Sequence, residues 1–243
     1  MPKKQVYIIT GVSGGLGAEL ATQLLSEGND VIGLSRTDHP VLEQLTGAGQ
    51  YSFYPIDLTQ ADTSVLHEII SALQTSPPES ITLINNAASV TPLNRIEDCT
   101  DEQILANIQL NITAPMLLIS AFIRLTAEWP TVRRVVNISS GSGSYPAPEM
   151  SLYCSGKAAI NMFSRCVGME QEQSNNPVQV FSIDPGMMDT AMQRTARESD
   201  MALSAYFAAQ HEEGNLVEPA SVAQKIIDLI SSQHLIKGEL QKV

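Results

Sequence analysis

A β-rich run, a glycine-rich turn and an amphipathic stretch follow one another directly near the start of the chain. Residues 5–10, QVYIIT, have the composition of a buried strand, and GVSGGLG at residues 11–17 follows at once. The apolar spacing beyond the turn predicts a helix over residues 15–27. The N-terminus of a helix offers free N–H groups and a positive dipole end, which suit a phosphate group. This order of elements is the context of a dinucleotide-binding turn, spaced here as G-x-x-x-G-x-G.

The three glycines of this turn have separate expected roles. Gly11 makes the tight turn, Gly15 lets the backbone approach a pyrophosphate, and Gly17 lets the helix pack closely on the sheet. A glycine turn that only connects two elements is the alternative. Its position between a strand and a helix favours the binding role.

Apolar runs alternate with amphipathic stretches along the rest of the chain. The pattern predicts strands over residues 5–10, 31–35, 52–56, 81–85, 132–139 and 178–183, with a last short strand over 236–240. It predicts helices over residues 15–27, 62–74, 101–128, 151–173 and 221–231. The alternation indicates an α/β fold, a Rossmann-type doubly wound parallel sheet with helices on both faces. We expect one domain over residues 1–243.

Residues 187–217 follow the last long strand and have only irregular helical spacing. Ligands of open α/β sheets bind outside the carboxyl ends of the strands, so a segment leaving such an end can close over the site. We interpret this segment as a substrate-binding lid. A pair of ordinary surface helices is the alternative.

Tyr153 and Lys157 stand four residues apart in a predicted helix, with Ser140 upstream at the end of an apolar run. Positions i and i+4 share one helix face, so the phenol and the ammonium point the same way. The phenol of a free tyrosine has a pKa near 10, and a nearby cation is expected to lower it. The Ser140 hydroxyl can hold a carbonyl oxygen in line with the phenol, and strand alternation favours it over Ser139. A Tyr and a Lys sharing a solvated face is the alternative.

The composition excludes several classes of protein. The net charge of −12 and the pI of about 4.7 argue against nucleic acid and anionic membrane as partners. The three cysteines and four histidines have no metal-ligand spacing, so we expect no metal site. The chain enters a strand after a few residues, without a signal-peptide pattern or an apolar run approaching 18 residues. We therefore expect a cytoplasmic protein.

Five motifs together resemble the short-chain dehydrogenase/reductase family, in its order and at its spacing. They are TGVSGGLG at 10–17, NNAA at 85–88, NISS at 137–140, Y-x-x-x-K at 153–157 and PG at 185–186. Further stretches are similar to the sepiapterin reductase group, and within it to the bacterial benzil reductases. These are LINNAA at 83–88, NITAPM at 111–116, IDPGMMDTAMQ at 183–193 and EEGNL at 212–216.

The resemblance implies a catalytic set and a cofactor. Tyr153 is expected to act as general acid, Lys157 to lower the pKa of the Tyr153 phenol and bind the nicotinamide ribose, and Ser140 to orient the carbonyl. Asn111 is expected to hold a water of a proton relay, or else to be a helix-interior Asn satisfied by nearby backbone. The residues implied for binding NADP(H) are Gly11, Ser13, Gly15, Leu16, Gly17, Ser35, Arg36, Asp57, Leu58, Asn86, Ala87, Tyr153, Lys157, Pro185, Gly186, Met188 and Thr190.

The end of the second predicted strand bears on the choice of cofactor. An NAD site usually places an acid there, whereas Ser35 followed by Arg36 suits the 2′-phosphate of NADP(H). A solvated surface Arg36 is the alternative. The resemblance implies that Asp57 contacts the adenine of the cofactor. The alternative is that Asp57 is only a turn residue at the end of a strand.

The resemblance also implies a substrate, and two departures from the family bear on it. Ala88 replaces the glycine of Asn-Asn-Ala-Gly, and Lys242 stands where sepiapterin reductases carry a pterin-anchoring carboxylate. We expect reduction of one carbonyl of an α-diketone such as benzil, with a pterin as the alternative. The lid methionines, which adapt to bulky apolar groups, agree with this; they are Met187, Met188, Met192 and Met201.

Two non-enzymatic interpretations remain, an NADP(H)-sensing protein and an interaction scaffold on the same fold. The four catalytic residues argue against a sensor, which needs no proton relay. The expected partners are a small-molecule carbonyl substrate and further copies of the chain, in a homodimer or homotetramer formed through the long helices.

Overall fold

Seven parallel strands form the centre of the described chain. The computed structural model describes residues 4–45, 49–60, 62–232 and 240–243. The strand order is β3-β2-β1-β4-β5-β6-β7. The strands are β1 Gln5–Thr10, β2 Asp30–Ser35, β3 Tyr51–Pro55, β4 Ser80–Asn85, β5 Val132–Ile138, β6 Gln179–Asp184 and β7 Leu240–Lys242. Because the order reverses between β1 and β4, the sheet has the topological switch point of a doubly wound fold. The predicted fold class is confirmed.

Helices cover both faces of this sheet. They are α1 Gly15–Ser26, α2 Ser64–Leu73, α3 Asp101–Ile108, α4 Ala114–Leu125, α5 Ser151–Gln171, α6 Ala191–Arg197, α7 Ser204–Glu212 and α8 Pro219–Ser231. The single helix predicted over residues 101–128 ends at Leu125 and contains a π-helical turn, Gln109–Thr113, between α3 and α4. The irregular stretch after β6 contains α6 and α7.

Two apolar layers sandwich the sheet because successive side chains of a strand point to opposite faces. In β1, Val6 and Ile8 pack into the layer with α2 and α4, whereas Tyr7 and Ile9 pack into the layer with α1 and α8. Strands buried on both faces are expected to be continuously apolar. This explains why β1 is a nearly continuous apolar run, whereas β3 at the edge of the sheet is partly exposed.

One helical stretch of the described chain is long and apolar enough, by length and composition alone, to cross a membrane. It spans the 25 residues Asp101–Leu125, within which an 18-residue window has a mean hydropathy of 1.5. Its α4 part buries Leu118, Ile119 and Phe122 in the layer beside the sheet. Its apolar composition is therefore that of a core helix.

The C-terminal strand brings the end of the chain beside β6. The predicted strand over residues 236–240 lies outside the described residues except for Leu240, and β7 runs over Leu240–Lys242. Lys242 pairs in register with Asp184, and the Val243 N–H donates to the Asp184 carbonyl at 3.3 Å. The C-terminus therefore lies at the carboxyl edge of the sheet, where ligands of such folds bind.

Candidate active site

Two positions of the glycine turn after β1, Gly11 and Gly17, are too tightly packed for a side chain. Gly11 has a φ of 76°, and a Cβ on Gly17 would lie 2.2 Å from the Gly11 carbonyl oxygen. The first turn of α1 therefore lies directly on the turn that precedes it. This close packing leaves backbone N–H groups at the start of α1, as a pyrophosphate site requires.

Thr10 fastens this turn to the end of β4. Its hydroxyl oxygen accepts the N–H groups of Asn86 at 2.9 Å and Ala87 at 3.0 Å, and the Asn86 amide donates to the Thr10 carbonyl at 3.0 Å. Two predicted cofactor residues are thus held against the glycine turn. Sequence reasoning left Thr10 out of the site, although it begins the first motif.

The segment after β6 reaches the same turn. Gly186 has a φ of 70°, and the Thr190 methyl carbon lies 3.5 Å from the position that a Cβ on Gly15 would take. The Thr190 hydroxyl also caps α6 by accepting the Gln193 N–H at 3.4 Å. The structure therefore brings together the glycine turn and the segment after β6, both of which were predicted to contribute cofactor-binding residues.

The predicted adenosine residues lie at the ends of β2 and β3. The Ser35 hydroxyl donates to the Thr37 carbonyl at 2.6 Å, and Arg36 is exposed beyond it. The Asp57 carboxylate accepts the Thr59 hydroxyl at 2.8 Å and the Thr59 N–H at 3.0 Å. The Thr59 bonds, with a smaller contribution from the Arg36 charge, hold the pKa of Asp57 below its usual value. Asp57 thus has the contacts of a turn residue, and its adenine role stays a prediction.

An acid near the end of β2 escaped the sequence analysis. The Asp38 carboxylate accepts the Tyr51 hydroxyl at 2.5 Å and the His39 N–H at 2.7 Å. Burial, together with this bond, raises the pKa of the Tyr51 phenol. Tyr51 fits because β2 has Gly33, where a Cβ would lie 2.6 Å from the Tyr51 oxygen. A glycine inside a predicted strand was the available signal for this close approach.

Tyr153, Lys157 and Ser140 come together at the carboxyl end of β5. Tyr153 and Lys157 are buried on α5, with 8% and 6% of their surface exposed. The Lys157 ammonium donates to the Ile138 carbonyl at 2.7 Å and lies 5.6 Å from the centroid of the Tyr153 ring. The Ser140 hydroxyl is close enough to lower the pKa of the Tyr153 phenol by hydrogen bonding.

The expected lowering of the Tyr153 pKa is wrong for this fold. Burial raises the pKa of Tyr153 to about 12, and this outweighs the lowering by the Ser140 hydroxyl. Burial likewise lowers the pKa of Lys157 to about 8, which weakens it as a cation near neutral pH. A phenol that keeps its proton at neutral pH is suited to donate that proton.

Ser139 and Ser140 face different partners. Ser139 is buried, and its hydroxyl donates to the Asn161 amide oxygen at 2.6 Å. The Ser140 hydroxyl oxygen accepts the Ser142 N–H at 3.1 Å. Ser139 therefore anchors α5 to β5, which leaves Ser140 as the serine beside the phenol. Asn161 was missed, although it follows Lys157 by four residues on the same helix face.

Asn111 lies in the π-helical turn with its side chain fully engaged. Its amide oxygen accepts the Ser89 N–H at 3.0 Å, and its amide nitrogen donates to the Ser89 carbonyl at 2.8 Å and to Asn107 at 3.0 Å. A Cβ on Gly156 would lie 3.2 Å from the Asn111 Cβ, so the turn contacts α5 next to Lys157. The side chain behaves as a satisfied helix-interior Asn, and the water-holding role stays a prediction.

Tyr153 belongs to a small apolar cluster. The other buried members of this cluster are Val90, Met150 and Met201. The partly buried side chains packed on this cluster are Leu93, Ala147, Cys154, Met192, Leu203 and Phe207. Met188, by contrast, packs into the opposite layer and forms a bridge with Val217. Two of the four methionines predicted to meet a substrate, Met192 and Met201, are therefore in this cluster.

The segment carrying α6 and α7 is tied to the start of α5. Glu149, at a φ of 64°, accepts the Ala202 N–H on its carboxylate at 2.5 Å. Within the segment, the Gln193 amide donates to the Phe207 carbonyl at 2.9 Å, and Arg197 pairs with Asp189 at 3.0 Å. These contacts place the segment over the apolar cluster, and its role as a lid stays a prediction.

The comparisons with known proteins agree with this site. The family described as short chain dehydrogenase matches residues 5–201, and the chain belongs to that family. The (S)-benzoin-forming benzil reductase of Bacillus cereus is 40% identical over 245 residues, which cover 97% of this chain and 98% of that protein. The sepiapterin reductase of Xenopus tropicalis is 29% identical over 248 residues, covering 96% and 93%. The protein is thus an oxidoreductase with reductases among its relatives.

A solved structure shows the same fold. The KRED1-Pglu enzyme superimposes with a TM-score of 0.84 at 23% identity, over 99% of this chain and 100% of that one. At this level of identity the similarity concerns the fold alone. It supports the topology described above.

Proposed function

We propose that this enzyme uses NADPH to reduce one carbonyl of an α-diketone such as benzil, which gives a chiral α-hydroxy ketone. The observation that carries the proposal is the apolar cluster that contains Tyr153, since a proton donor among apolar side chains suits a ketone with bulky apolar substituents. The similarity to benzil reductase over almost the whole chain supports the same substrate class.

A nicotinamide cofactor, when bound, would supply the hydride that adds to the carbonyl carbon. Tyr153 then transfers the phenolic proton to the alkoxide oxygen, so that one hydride and one proton make the alcohol. Ser140 donates a hydrogen bond to the carbonyl oxygen and holds it beside the phenol. Lys157, fixed by the Ile138 carbonyl, places a cation beside the phenolate that remains.

The residues present fit a nicotinamide dinucleotide. A Cβ at Gly11 would press on Asn86 and Ala87, and one at Gly17 would overlap the Gly11 carbonyl, so glycine at both positions keeps the tight turn that precedes the N-terminus of α1, where a pyrophosphate would bind. At the ribose, Arg36 is exposed and can pair with a 2′-phosphate. One oxygen of the Asp38 carboxylate accepts both Tyr51 and His39, and the other oxygen is buried without a hydrogen-bond partner, so Asp38 presents no exposed acceptor beside Arg36. These contacts favour NADPH over NADH.

The end of the chain favours an apolar substrate over a pterin. Lys242 stands where the sepiapterin reductase group carries its pterin-anchoring carboxylate, and its ammonium lies 6.0 Å from the centroid of the exposed Tyr145 ring. An ammonium cannot accept the hydrogen bonds of a guanidine-like pterin edge. A pterin reductase is the second candidate, supported by the 29% identity to sepiapterin reductase.

The substrate assignment is tested by kcat/KM for benzil and for sepiapterin under the same NADPH concentration. We expect benzil to be preferred by tenfold or more, because the cluster around Tyr153 offers apolar contact and Lys242 offers no acceptor. Lys242→Asp is the informative variant, since it should raise kcat/KM for sepiapterin and leave that for benzil nearly unchanged. A tenfold preference of the wild type for sepiapterin would reverse the assignment.

Lys157→Met separates an enzyme from a nucleotide sensor of the same fold. The Lys157 ammonium is buried, and burial lowers its pKa to about 8. Each unit of this pKa change corresponds to about 1.4 kcal/mol of folding free energy. Between about pH 8 and the ordinary lysine pKa of 10.5, Lys157 is protonated in the unfolded chain but largely deprotonated in the folded protein. The free energy of unfolding of the wild type therefore rises with pH over this range. Below pH 8 the variant should be more stable by about 1–3 kcal/mol, yet inactive.

Urea unfolding of both proteins at several pH values measures this difference in the free energy of unfolding. The advantage of the variant should shrink as the pH rises above 8. A variant that is less stable than the wild type at pH 7 would show that Lys157 is kept for the fold and not for the reaction.

We also propose that the chain assembles into a homodimer or homotetramer in the cytoplasm. Three helices, α3, α4 and α5, expose the large apolar side chains Leu105, Leu117, Met162 and Met169. Exposed apolar groups on neighbouring helices are typical of an association surface. Light scattering should give two or four times the chain mass of 26.3 kDa. A monomer at micromolar concentration would contradict this.

A further inference from the structure

Asn107 is a buried polar side chain of α3 that the proposed reaction leaves unused. It has 3% of its surface exposed and stands four residues before Asn111, so the two amides share one face of the helical stretch. A buried amide is costly to the fold unless its hydrogen bonds are satisfied. The groups that satisfy Asn107 therefore show what this side chain holds in place.

The bonds of Asn107 lead to the loop after β4. Its amide nitrogen donates to the Thr91 carbonyl at 2.8 Å and to the Ser89 carbonyl at 3.3 Å, and its oxygen accepts the Asn111 amide at 3.0 Å. Asn111 in turn donates to the same Ser89 carbonyl at 2.8 Å and accepts the Ser89 N–H at 3.0 Å. The two amides thus hold the loop on both sides of Val90.

Val90, between the two held residues, belongs to the apolar cluster that contains Tyr153. It is buried, and the Thr91 N–H beside it donates to the Ser89 hydroxyl oxygen at 3.2 Å. A residue whose neighbours are fastened on both sides has little freedom to leave its place in the cluster. Asn107 therefore acts on the position of Val90 through the backbone.

An open cavity of about 380 Å³ adjoins this cluster. Its lining includes Thr91 and Leu93 from the loop after β4 and Met201 from the segment that carries α6 and α7. Leu93 and Met201 also pack in the cluster that contains Tyr153. The loop held by the two amides is therefore placed to contact a substituent of a ketone that reacts at Tyr153.

We propose that Asn107 is a positioning residue that sets which ketones the enzyme accepts. By holding the Ser89 and Thr91 carbonyls, it keeps Val90 in the wall on which a bulky apolar substituent of the ketone packs. Its effect is on the binding of that substituent and not on hydride or proton transfer. The inference rests on the proposed function, because it takes Tyr153 as proton donor to such a ketone.

Asn107→Ala releases the Thr91 carbonyl, while Asn111 keeps its two bonds to Ser89. The variant should raise KM for benzil about tenfold, the scale of a lost apolar contact in a substrate pocket. KM for diacetyl, whose methyl groups reach less of the wall, should change less than about twofold. For both diketones kcat should stay near that of the wild type, because a lost contact that serves substrate and transition state alike raises KM alone.

Asn176→Ala is the matched control. The Asn176 amide also donates to two backbone carbonyls, those of Ala127 at 3.0 Å and Trp129 at 2.9 Å. These carbonyls precede β5, at the amino edge of the sheet and therefore opposite to the candidate site. The control should lose stability in urea unfolding but keep both KM values of the wild type.

Two further measurements keep the proposal separate from a general loss of folding. In a Val90→Ala background, Asn107→Ala should raise KM for benzil less than about twofold, because the wall residue is already truncated. Hydrogen exchange needs no substrate, and in Asn107→Ala the peptides that cover residues 89–93 should exchange faster than in the wild type and the control. Asn107→Ser, whose hydroxyl can satisfy one freed group, replaces Asn107→Ala if circular dichroism shows that the latter is unfolded.

Faster exchange at residues 89–93 together with a selective rise of KM for benzil is the expected result. If KM for benzil rises no more than KM for diacetyl, or rises as much in the Val90→Ala background, the proposal is wrong and Asn107 serves the fold alone. A wild-type enzyme that reduces neither diketone would overturn the proposed function, and this inference with it.

Discussion

Tyr153→Phe is expected to lower kcat for ketone reduction by about 10²–10⁴-fold, the typical contribution of a general acid. In the proposed mechanism the Tyr153 phenol is the proton donor, and burial raises its pKa to about 12, so it is protonated throughout the neutral range. Phenylalanine keeps the ring that packs on the apolar cluster. The variant should therefore fold normally and bind NADPH with an unchanged Kd.

Tyr54→Phe is the matched control, because Tyr54 lies in β3 and packs into the layer with α2 and α4. It should keep wild-type kcat. Single-turnover kinetics establish that chemistry limits the rate in each protein. If Tyr153→Phe retains more than about a tenth of wild-type kcat under that condition, the proton comes from another group.

NADPH is expected to be preferred over NADH by about 10- to 150-fold in kcat/KM, the effect of one charge-assisted hydrogen bond of about 1.5–3 kcal/mol. In the proposed function, the exposed Arg36 guanidinium would supply that bond to the 2′-phosphate. Ser35, which precedes Arg36, has a hydroxyl that already donates to the Thr37 carbonyl. It brings no negative charge that would repel the phosphate.

The double variant Ser35→Asp with Arg36→Gln should erode or reverse the preference, since it adds an acceptor for the ribose hydroxyl and removes the cation. Arg124→Gln, on α4, is the control for a loss of positive charge elsewhere. The measurement is kcat/KM and KM for both cofactors in all three proteins. Equal KM values of the wild type for NADPH and NADH would contradict the role of Arg36.

Local sequence signals predicted the architecture and the proximity of Ser140, Tyr153 and Lys157. The strand over residues 5–10 and the start of α5 at residue 151 follow from composition and spacing that act over a few residues. Tyr153 and Lys157 share a face because both are on one helix, and Ser140 lies near them because it follows a central strand. Such relations need no knowledge of distant contacts.

The electrostatics of the site could not be predicted in the same way. The raised pKa of Tyr153 depends on how completely the fold buries it, and a four-residue spacing to Lys157 gives no measure of burial. The same holds for Asp38, whose partner Tyr51 comes from a neighbouring strand. The π-helical turn at Asn111 interrupts a sequence that reads as one continuous helix.

The most direct measurement is NADPH oxidation by the wild type across α-diketones, quinones, pterins and simple aldehydes, with the product of each reaction identified by chiral chromatography. Our account predicts the highest kcat/KM for an α-diketone such as benzil. It also predicts one α-hydroxy ketone formed per NADPH consumed and an excess of one enantiomer. Absence of NADPH consumption with every ketone, while NADPH still binds, would contradict the account and favour a nucleotide-sensing protein.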